Sequence, residues 1–89
     1  MTTITLSAAG PSPQDVSVSR GSKINFVNNI GAEVILTLDN AGVFNPSQGT
    51  SLTVPTTGLT NLTVGNTSSG YSYPEPVKRA PRNGSINVD

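Results

Sequence analysis

The chain has 89 residues, the length of one small domain, and it contains no cysteine and no histidine. Disulfides and most thiolate or imidazole metal sites are therefore excluded by composition alone. Five basic residues balance five acidic ones, so no broad field of charge attracts nucleic acid or an anionic membrane.

The first third of the chain contains three short runs in which apolar and polar residues alternate. They predict a strand over residues 3–7 and two further strands within residues 13–29. The turn Arg20-Gly21-Ser22 is centred on glycine, and it predicts that the second and third strands form a β-hairpin. The apolar residues predicted to face the core are Ile4, Leu6, Val16, Val18, Ile24 and Phe26.

The rest of the chain repeats this alternation between turn signals. Strands are predicted over residues 33–39, 50–54, 61–64, 71–73 and 85–89, and residues 43–44 are predicted to enter the core between two of them. The apolar residues predicted to face inward here are Val34, Leu36, Leu38, Leu52, Val54, Leu62, Val64, Ile86 and Val88. Seven or eight short strands predict one all-β domain over residues 1–89, an antiparallel β-sandwich.

Four segments, in this order, resemble the cupredoxin domain. Residues 13–28 read Pro-x-x-Val-x-Val-x-x-Gly-x-x-Ile-x-Phe-x-Asn, and residues 28–31 read Asn-Asn-Ile-Gly before a strand, as in plastocyanin-like and pseudoazurin-like proteins. Residues 71–73, Tyr-Ser-Tyr, and residues 84–88, Gly-Ser-Ile-Asn-Val, resemble the two strands on either side of the family's ligand loop. The resemblance implies a Greek-key β-sandwich.

The copper ligands of the family are missing from the positions that the resemblance assigns to them. A blue-copper site needs a thiolate, two imidazoles and a long thioether contact. Aligned without gaps, Val34 takes the first histidine position, Glu75 the cysteine, Lys78 the second histidine, and Asn83 falls near the methionine. We therefore predict a metal-free domain without a cofactor, and these residues are positions only, not inherited ligands.

Residues 74–84 contain three prolines and three of the five basic residues, Lys78, Arg79 and Arg82. We predict an irregular exposed loop, and a loop held by a rigid sandwich is a common place for a binding site. With Glu75, these three cations are the candidate binding residues for a protein partner that carries an acidic patch. Charges that only keep the loop soluble are the preferred interpretation, although no other surface of the chain offers a stronger binding signal.

Two other patterns have a functional and a structural interpretation. Glu33 and Glu75 could hold a hard cation, but two carboxylates are too few for a calcium cage, so two solvated acids are the preferred interpretation. Tyr71 and Tyr73 could stack on a sugar, although packing in the core is favoured. No nucleophile motif or phosphate-binding loop is present, so an enzyme is not expected.

The resulting hypothesis is a non-catalytic, metal-free, cupredoxin-like binding or structural module whose contact surface is the 74–84 loop. One alternative is a self-assembling structural or decoration protein, because few charges and open strand edges permit self-association. Less favoured alternatives are a cation-dependent carrier that uses Glu33 and Glu75, or an electron-transfer relative. The N-terminal residues lack the features of a signal peptide and no apolar run is long enough to span a membrane, which leaves the compartment open.

Overall fold

Alternating burial follows most of the strands, as the sequence pattern predicts. A computed structural model describes residues 2–74 and 82–89 of the chain. Eight strands and one 3-10 turn lie within these residues. In chain order they are β1 (Thr2–Leu6), β2 (Asp15–Val18), β3 (Lys23–Asn28), β4 (Val34–Leu38), the 3-10 turn η1 (Ala41–Val43), β5 (Ser51–Val54), β6 (Leu59–Thr63), β7 (Ser69–Tyr73) and β8 (Arg82–Val88).

The strands form two sheets that share one core. The smaller sheet has the order β1-β3-β6, and the larger sheet has the order β2-β8-β7-β4-β5. The prediction of an all-β sandwich with seven or eight strands is confirmed. In the part of the chain that is described, we find no helix with the length and apolar character needed to cross a membrane.

Both sheets are mixed, which corrects the expectation of purely antiparallel pairing. β1 pairs with β3 in parallel, and β2 pairs with β8 in parallel, whereas the other pairs are antiparallel. The reason is the path of the chain: β2 lies between β1 and β3 in sequence but belongs to the other sheet. The chain therefore returns to the smaller sheet in the direction in which it left.

The predicted hairpin over residues 13–29 is wrong, because its two strands lie in different sheets. Gly21 does take a positive φ of 86°, and its N–H donates to Val64 O at 2.9 Å. The turn around Gly21, however, carries the chain across the sandwich. The alternation of apolar and polar residues shows which face of a strand is buried, but not which strand lies beside it. Two strands that face one core from opposite sheets therefore have the same sequence pattern as the two strands of a hairpin.

The core is built from the inward faces of both sheets. The predicted inward residues are buried, except that Leu62 and Val88 are partly buried and pack against the core. The ring of Phe26 lies near its centre and makes edge-to-face contacts with Phe44 and Tyr71, at centroid distances of 6.5 and 6.2 Å. Val43 and Phe44 are buried, so the prediction for residues 43–44 is confirmed.

One glycine is required by a close approach of two backbone segments. Gly65 is buried, and its N–H donates to Val43 O at 2.7 Å. A Cβ atom at Gly65 would overlap the carbonyl oxygen of Gly42 and lie 3.3 Å from Phe44 C. Backbone atoms cannot move aside as a flexible side chain can, so this position has no room for a larger residue.

We expect Gly65→Ala to lower the free energy of unfolding by at least about 2 kcal/mol, because the added methyl group forces the two segments apart. Denaturant unfolding monitored by tyrosine fluorescence measures this change. Gly31→Ala is the control: Gly31 has a φ of 88° but open space around it, so only about 1 kcal/mol of conformational strain is expected. If the two variants lose the same stability, the contact at Gly65 does not limit packing.

Candidate functional site

Several connections meet at the end of the sandwich where the family carries its copper ligands. β4 begins at Val34, its antiparallel neighbour β7 ends at Tyr73, and β8 begins at Arg82. The connection from β1 to β2 reaches the same end, because β2 starts beside β8 and runs parallel to it. We call this region the loop end and define it as residues 7–14, 29–34, 74 and 82–83.

Two of the family's ligand positions lie among the described residues, and neither carries a copper ligand. The position near the methionine is Asn83, an exposed residue of β8, and the first histidine position is Val34, an apolar core residue. Val34 is 4% exposed and pairs with Val54 of β5. The full sequence contains no cysteine and no histidine. Among residues 2–74 and 82–89, no group of three or more His, Cys, Asp or Glu side chains could hold a metal ion. These residues do not fit a blue-copper centre, which needs soft sulfur and imidazole ligands.

Arg82 belongs to β8 and not to an irregular loop, which corrects the predicted boundary at residue 84. Its backbone pairs with Tyr73, and its Nε–H donates to Ala8 O at 2.8 Å. The first four residues of β8 are Arg-Asn-Gly-Ser, so no apolar alternation indicated a strand there. The hydrogen bond fixes the base of the guanidinium, while its terminal nitrogens make no hydrogen bond to another described residue.

Three of the four candidate binding residues, Glu75, Lys78 and Arg79, lie outside the described residues. The proposed pairing of Glu33 with Glu75 lies outside them for the same reason. Glu33 itself is exposed. Arg82 is therefore the candidate residue whose surroundings the structure defines.

A shallow pocket of about 240 Å³ lies beside Arg82, between the β1–β2 connection and the start of β8. Gln14 contributes to its wall and donates from Nε2 to Asn83 O at 3.4 Å. Ala9, Gly10 and Pro11 also line it. Sequence reasoning missed Gln14, because one glutamine in a polar connection carries no periodic or motif signal.

Asn28 holds the β3–β4 turn at the loop end. Its Nδ2 donates to Ala32 O at 2.9 Å and to Val54 O at 3.3 Å, and its Oδ1 accepts from the N–H of Ile30 at 2.9 Å. One amide side chain thus satisfies backbone groups of a turn and of the end of β5. This fixes the backbone that leads into Val34.

Comparison with solved structures decides the fold. A methionine-to-alanine variant of amicyanin in its Cu(I) form is similar with a TM-score of 0.68 and 15% sequence identity, over 99% of this chain and 81% of that chain. A purple cupredoxin from Nitrosopumilus maritimus is similar with a TM-score of 0.66 and 13% identity, over the full length of both chains. The chain has the cupredoxin fold. No protein-family model matches the sequence, and no curated protein is similar to it in sequence.

The structural likeness confirms the cupredoxin resemblance, although at these identities it concerns the fold alone. The purple cupredoxin has the same extent as this chain, so the likeness covers both sheets and not one motif. A cupredoxin-like domain is therefore present whose described residues do not form the copper site of the family. The loop end instead carries a packed valine and a fixed arginine, and two buried tyrosines of β7 precede it.

Tyr73 connects the end of β7 to the end of β1. It is 1% exposed, its hydroxyl donates to Ser7 O at 2.8 Å, and it accepts from the N–H of Ser7 at 3.3 Å. Burial raises the pKa of Tyr73, and the hydrogen bond to the Ser7 backbone opposes that shift. The side chain is a structural bond between the two sheets.

Tyr71 is buried in a different way. It is 3% exposed, and its hydroxyl has no hydrogen-bond partner in the described part of the chain. The end of the ring lies against Gly84, where a Cβ would be 2.5 Å from the hydroxyl oxygen. Burial raises the pKa of Tyr71, with smaller contributions from Tyr73 and Asp15. Neither tyrosine is open to a sugar, so the prediction of core packing is confirmed.

The two tyrosines should respond oppositely to loss of the hydroxyl. We expect Tyr73→Phe to lower the free energy of unfolding by about 1–3 kcal/mol, because both backbone groups of Ser7 lose their partner. Tyr71→Phe should be neutral or stabilising by up to about 1 kcal/mol, because it removes a buried hydroxyl without a described partner. Thermal and denaturant unfolding of the pair measures both effects. An equal loss in both variants would contradict the difference in hydrogen bonding.

The raised pKa of Tyr71 predicts a loss of stability at alkaline pH. An unfolded tyrosine ionises near pH 10, whereas the folded domain keeps the Tyr71 proton to higher pH. Above about pH 10 the unfolded chain binds fewer protons than the folded one, so the free energy of unfolding falls, by at most about 1.4 kcal/mol per pH unit for one tyrosine. Urea unfolding between about pH 9 and pH 11 should show a smaller fall for Tyr71→Phe than for the wild type. Parallel curves would show that Tyr71 ionises normally in the folded state.

Proposed function

We propose that this chain is a metal-free, cupredoxin-like module that binds a protein partner through the basic segment at its loop end. The observation that carries the proposal is Arg82, whose guanidinium is fixed at Nε by Ala8 O beside a shallow pocket. An arginine that is already ordered loses less conformational entropy when its terminal nitrogens bind a carboxylate. Two further cations, Lys78 and Arg79, precede it closely in sequence.

Two features support a role other than copper electron transfer. Amicyanin, which has the same fold, is described in a Cu(I) form. In this chain Val34 occupies the first histidine position as a core residue, and no cysteine or histidine occurs anywhere in the sequence. A cupredoxin fold without copper ligands still has loops that a rigid sandwich holds in place. Such loops are suited to protein recognition. The sequence contains no histidine to act as a general base, so the proposal does not include catalysis.

The local cluster of positive charge supports one class of partner, a protein with an acidic patch. Three of the five basic residues lie within residues 78–82, and the whole chain carries no net charge. The attraction is therefore local, and a partner with a compact acidic patch matches it better than an extended polyanion. Each rim charge pair contributes modestly, so we expect an interaction that weakens as salt is raised.

Self-association is the alternative that the larger sheet permits. β5 forms one edge of that sheet, and Ile35 on the neighbouring strand is 49% exposed. An open edge can pair with the edge of a second copy. Light scattering over a concentration series separates the two proposals, because a mass that grows with concentration supports assembly.

We expect the variant Lys78→Ala, Arg79→Ala, Arg82→Ala to lose a partner that the wild-type domain retains from a lysate of its source. The reason is that the substitutions remove the whole local cluster of positive charge. The measurement is an affinity pull-down at low and raised salt, with retained proteins identified by mass spectrometry.

The matched control is Arg20→Ala, Lys23→Ala, which removes the only other basic residues, both distant from the loop end. It should retain the partner. Loss in the control as well as in the triple variant would indicate unspecific charge binding. Retention by the triple variant would remove the loop end as the contact surface. A thermal unfolding scan of each variant confirms that it is folded.

A further inference from the structure

A cleft of about 460 Å³ opens at the end of the sandwich opposite the loop end. Three chain segments form it: the β2–β3 connection with Arg20, the residues that follow η1, and the end of β6 with the residues after it. Its volume falls within the usual range for small-molecule sites, about 300 to 1,000 Å³. No motif or periodicity in the sequence groups these segments, because they meet only through the fold.

Backbone hydrogen bonds hold the walls of the cleft together. The N–H of Gly21 donates to Val64 O at 2.9 Å, and the N–H of Asn45 donates to Thr63 O at 2.9 Å. Gly65 fits against Gly42 without room for a side chain. The three segments are therefore bound to one another, and a ligand would meet a cleft that is already formed.

The polar side chains that line the cleft include several free donors. Arg20 makes no hydrogen bond or ion pair with any other residue of the described segments, and the side-chain amide of Asn45 is equally unpaired. Asn66 accepts from Thr67 through Oδ1, which leaves its NH₂ group available. No aspartate or glutamate is among the lining residues. Lys23 adds a second positive charge nearby, through its bond to the Thr63 hydroxyl.

We propose that this cleft binds a small polar molecule that carries one carboxylate or phosphate group and several hydroxyl groups. Arg20 supplies the guanidinium that pairs with the oxyanion in a bidentate geometry. The amides of Asn45 and Asn66 donate to the oxyanion or to hydroxyls. Ser47 also lines the cleft, but its hydroxyl already donates to Ala41 O and accepts from the N–H of Gly49. The site is independent of the proposed protein-binding surface, which lies at the other end of the sandwich.

The choice of an anion over a cation or an apolar ligand follows from the lining. A cation would meet Arg20 without any carboxylate to offset it. An apolar ligand would leave the free donors of Arg20 and Asn45 buried without partners, which costs more than the contact returns. Phe44 and Val64 are among the lining residues but are buried at 2% and 0% exposure, so these two side chains offer little apolar surface.

The test is a titration of the ¹⁵N-labelled domain followed by amide chemical shifts. The probes are glucuronate, glucose 6-phosphate and, as the uncharged comparison, glucose. We expect saturable shifts of the amides around the cleft with one or both anions and no saturable shift with glucose. Saturation with glucuronate alone assigns a carboxylate ligand, and saturation with glucose 6-phosphate alone assigns a phosphate.

Substitution of the cation tests the role of Arg20. Arg20→Gln should weaken binding of the anion at least about tenfold, because a hydrogen-bonded charge pair is lost. Ser17→Ala, an exposed position of β2 outside both the cleft and the loop end, is the control and should leave the affinity unchanged. The proposal is overturned if neither anion saturates, if glucose binds as well as the anions, or if Arg20→Gln binds as tightly as the wild type. Arg20 is exposed, so the folded state should persist, and the amide spectrum of the variant verifies it.

Discussion

Each sheet of this domain buries its apolar face against the other sheet. The fold therefore depends on the contact between the two inner faces. The smaller sheet contributes Ile4, Leu6, Ile24 and Phe26, and the larger sheet covers them with its own alternating residues. The chain has no disulfide to support this contact, because it contains no cysteine. The buried tyrosines extend the same contact toward the loop end, where Tyr73 joins β7 to the residue after β1. Local features such as the pocket beside Arg82 keep their shape only because this core holds the strands that carry them.

The sequence predicted the burial pattern well and the strand pairing poorly, and the reason is physical. Alternation at Val16, Val18, Ile24 and Phe26 correctly assigned the inward face of each strand, since burial leaves a period of two in the residues themselves. It could not assign the partner strand, because the hydrogen bonds of a sheet are made by backbone groups that are the same in every residue. The β2–β3 turn was therefore interpreted as a hairpin, although it crosses the sandwich.

The candidate site was predictable only where residue chemistry is specific. The absence of sulfur and imidazole ligands was visible directly, and the structure adds that Val34 is part of the core. The boundary of the basic segment was not visible, because Arg82 joins β8 through backbone pairing and a hydrogen bond to Ala8 O. The same limit applies to the role of Gly84. Its place against Tyr71 depends on two residues 13 positions apart becoming cross-strand neighbours, and nothing local to either residue indicates this.

A sandwich without a copper site can use its two ends differently from one that holds the metal. A metal centre needs side chains from separate connections to converge on one point, so those connections cannot vary freely. Here the first histidine position is a valine that faces the core. Nearby polar side chains make hydrogen bonds to backbone groups instead of to a metal, as Asn28 does in the β3–β4 turn. The two ends are then free to carry different chemistry on one rigid core.

At the loop end, Arg82 is tied to a neighbouring backbone segment and presents an ordered charge at the surface. At the opposite end, the Arg20 side chain makes no hydrogen bond or ion pair with another described residue, and it lies beside a cleft in which Asn45 and Asn66 keep free NH₂ groups. An ordered surface charge is suited to a large partner that covers it, whereas a free guanidinium in a concave site is suited to a small ligand that it can close upon.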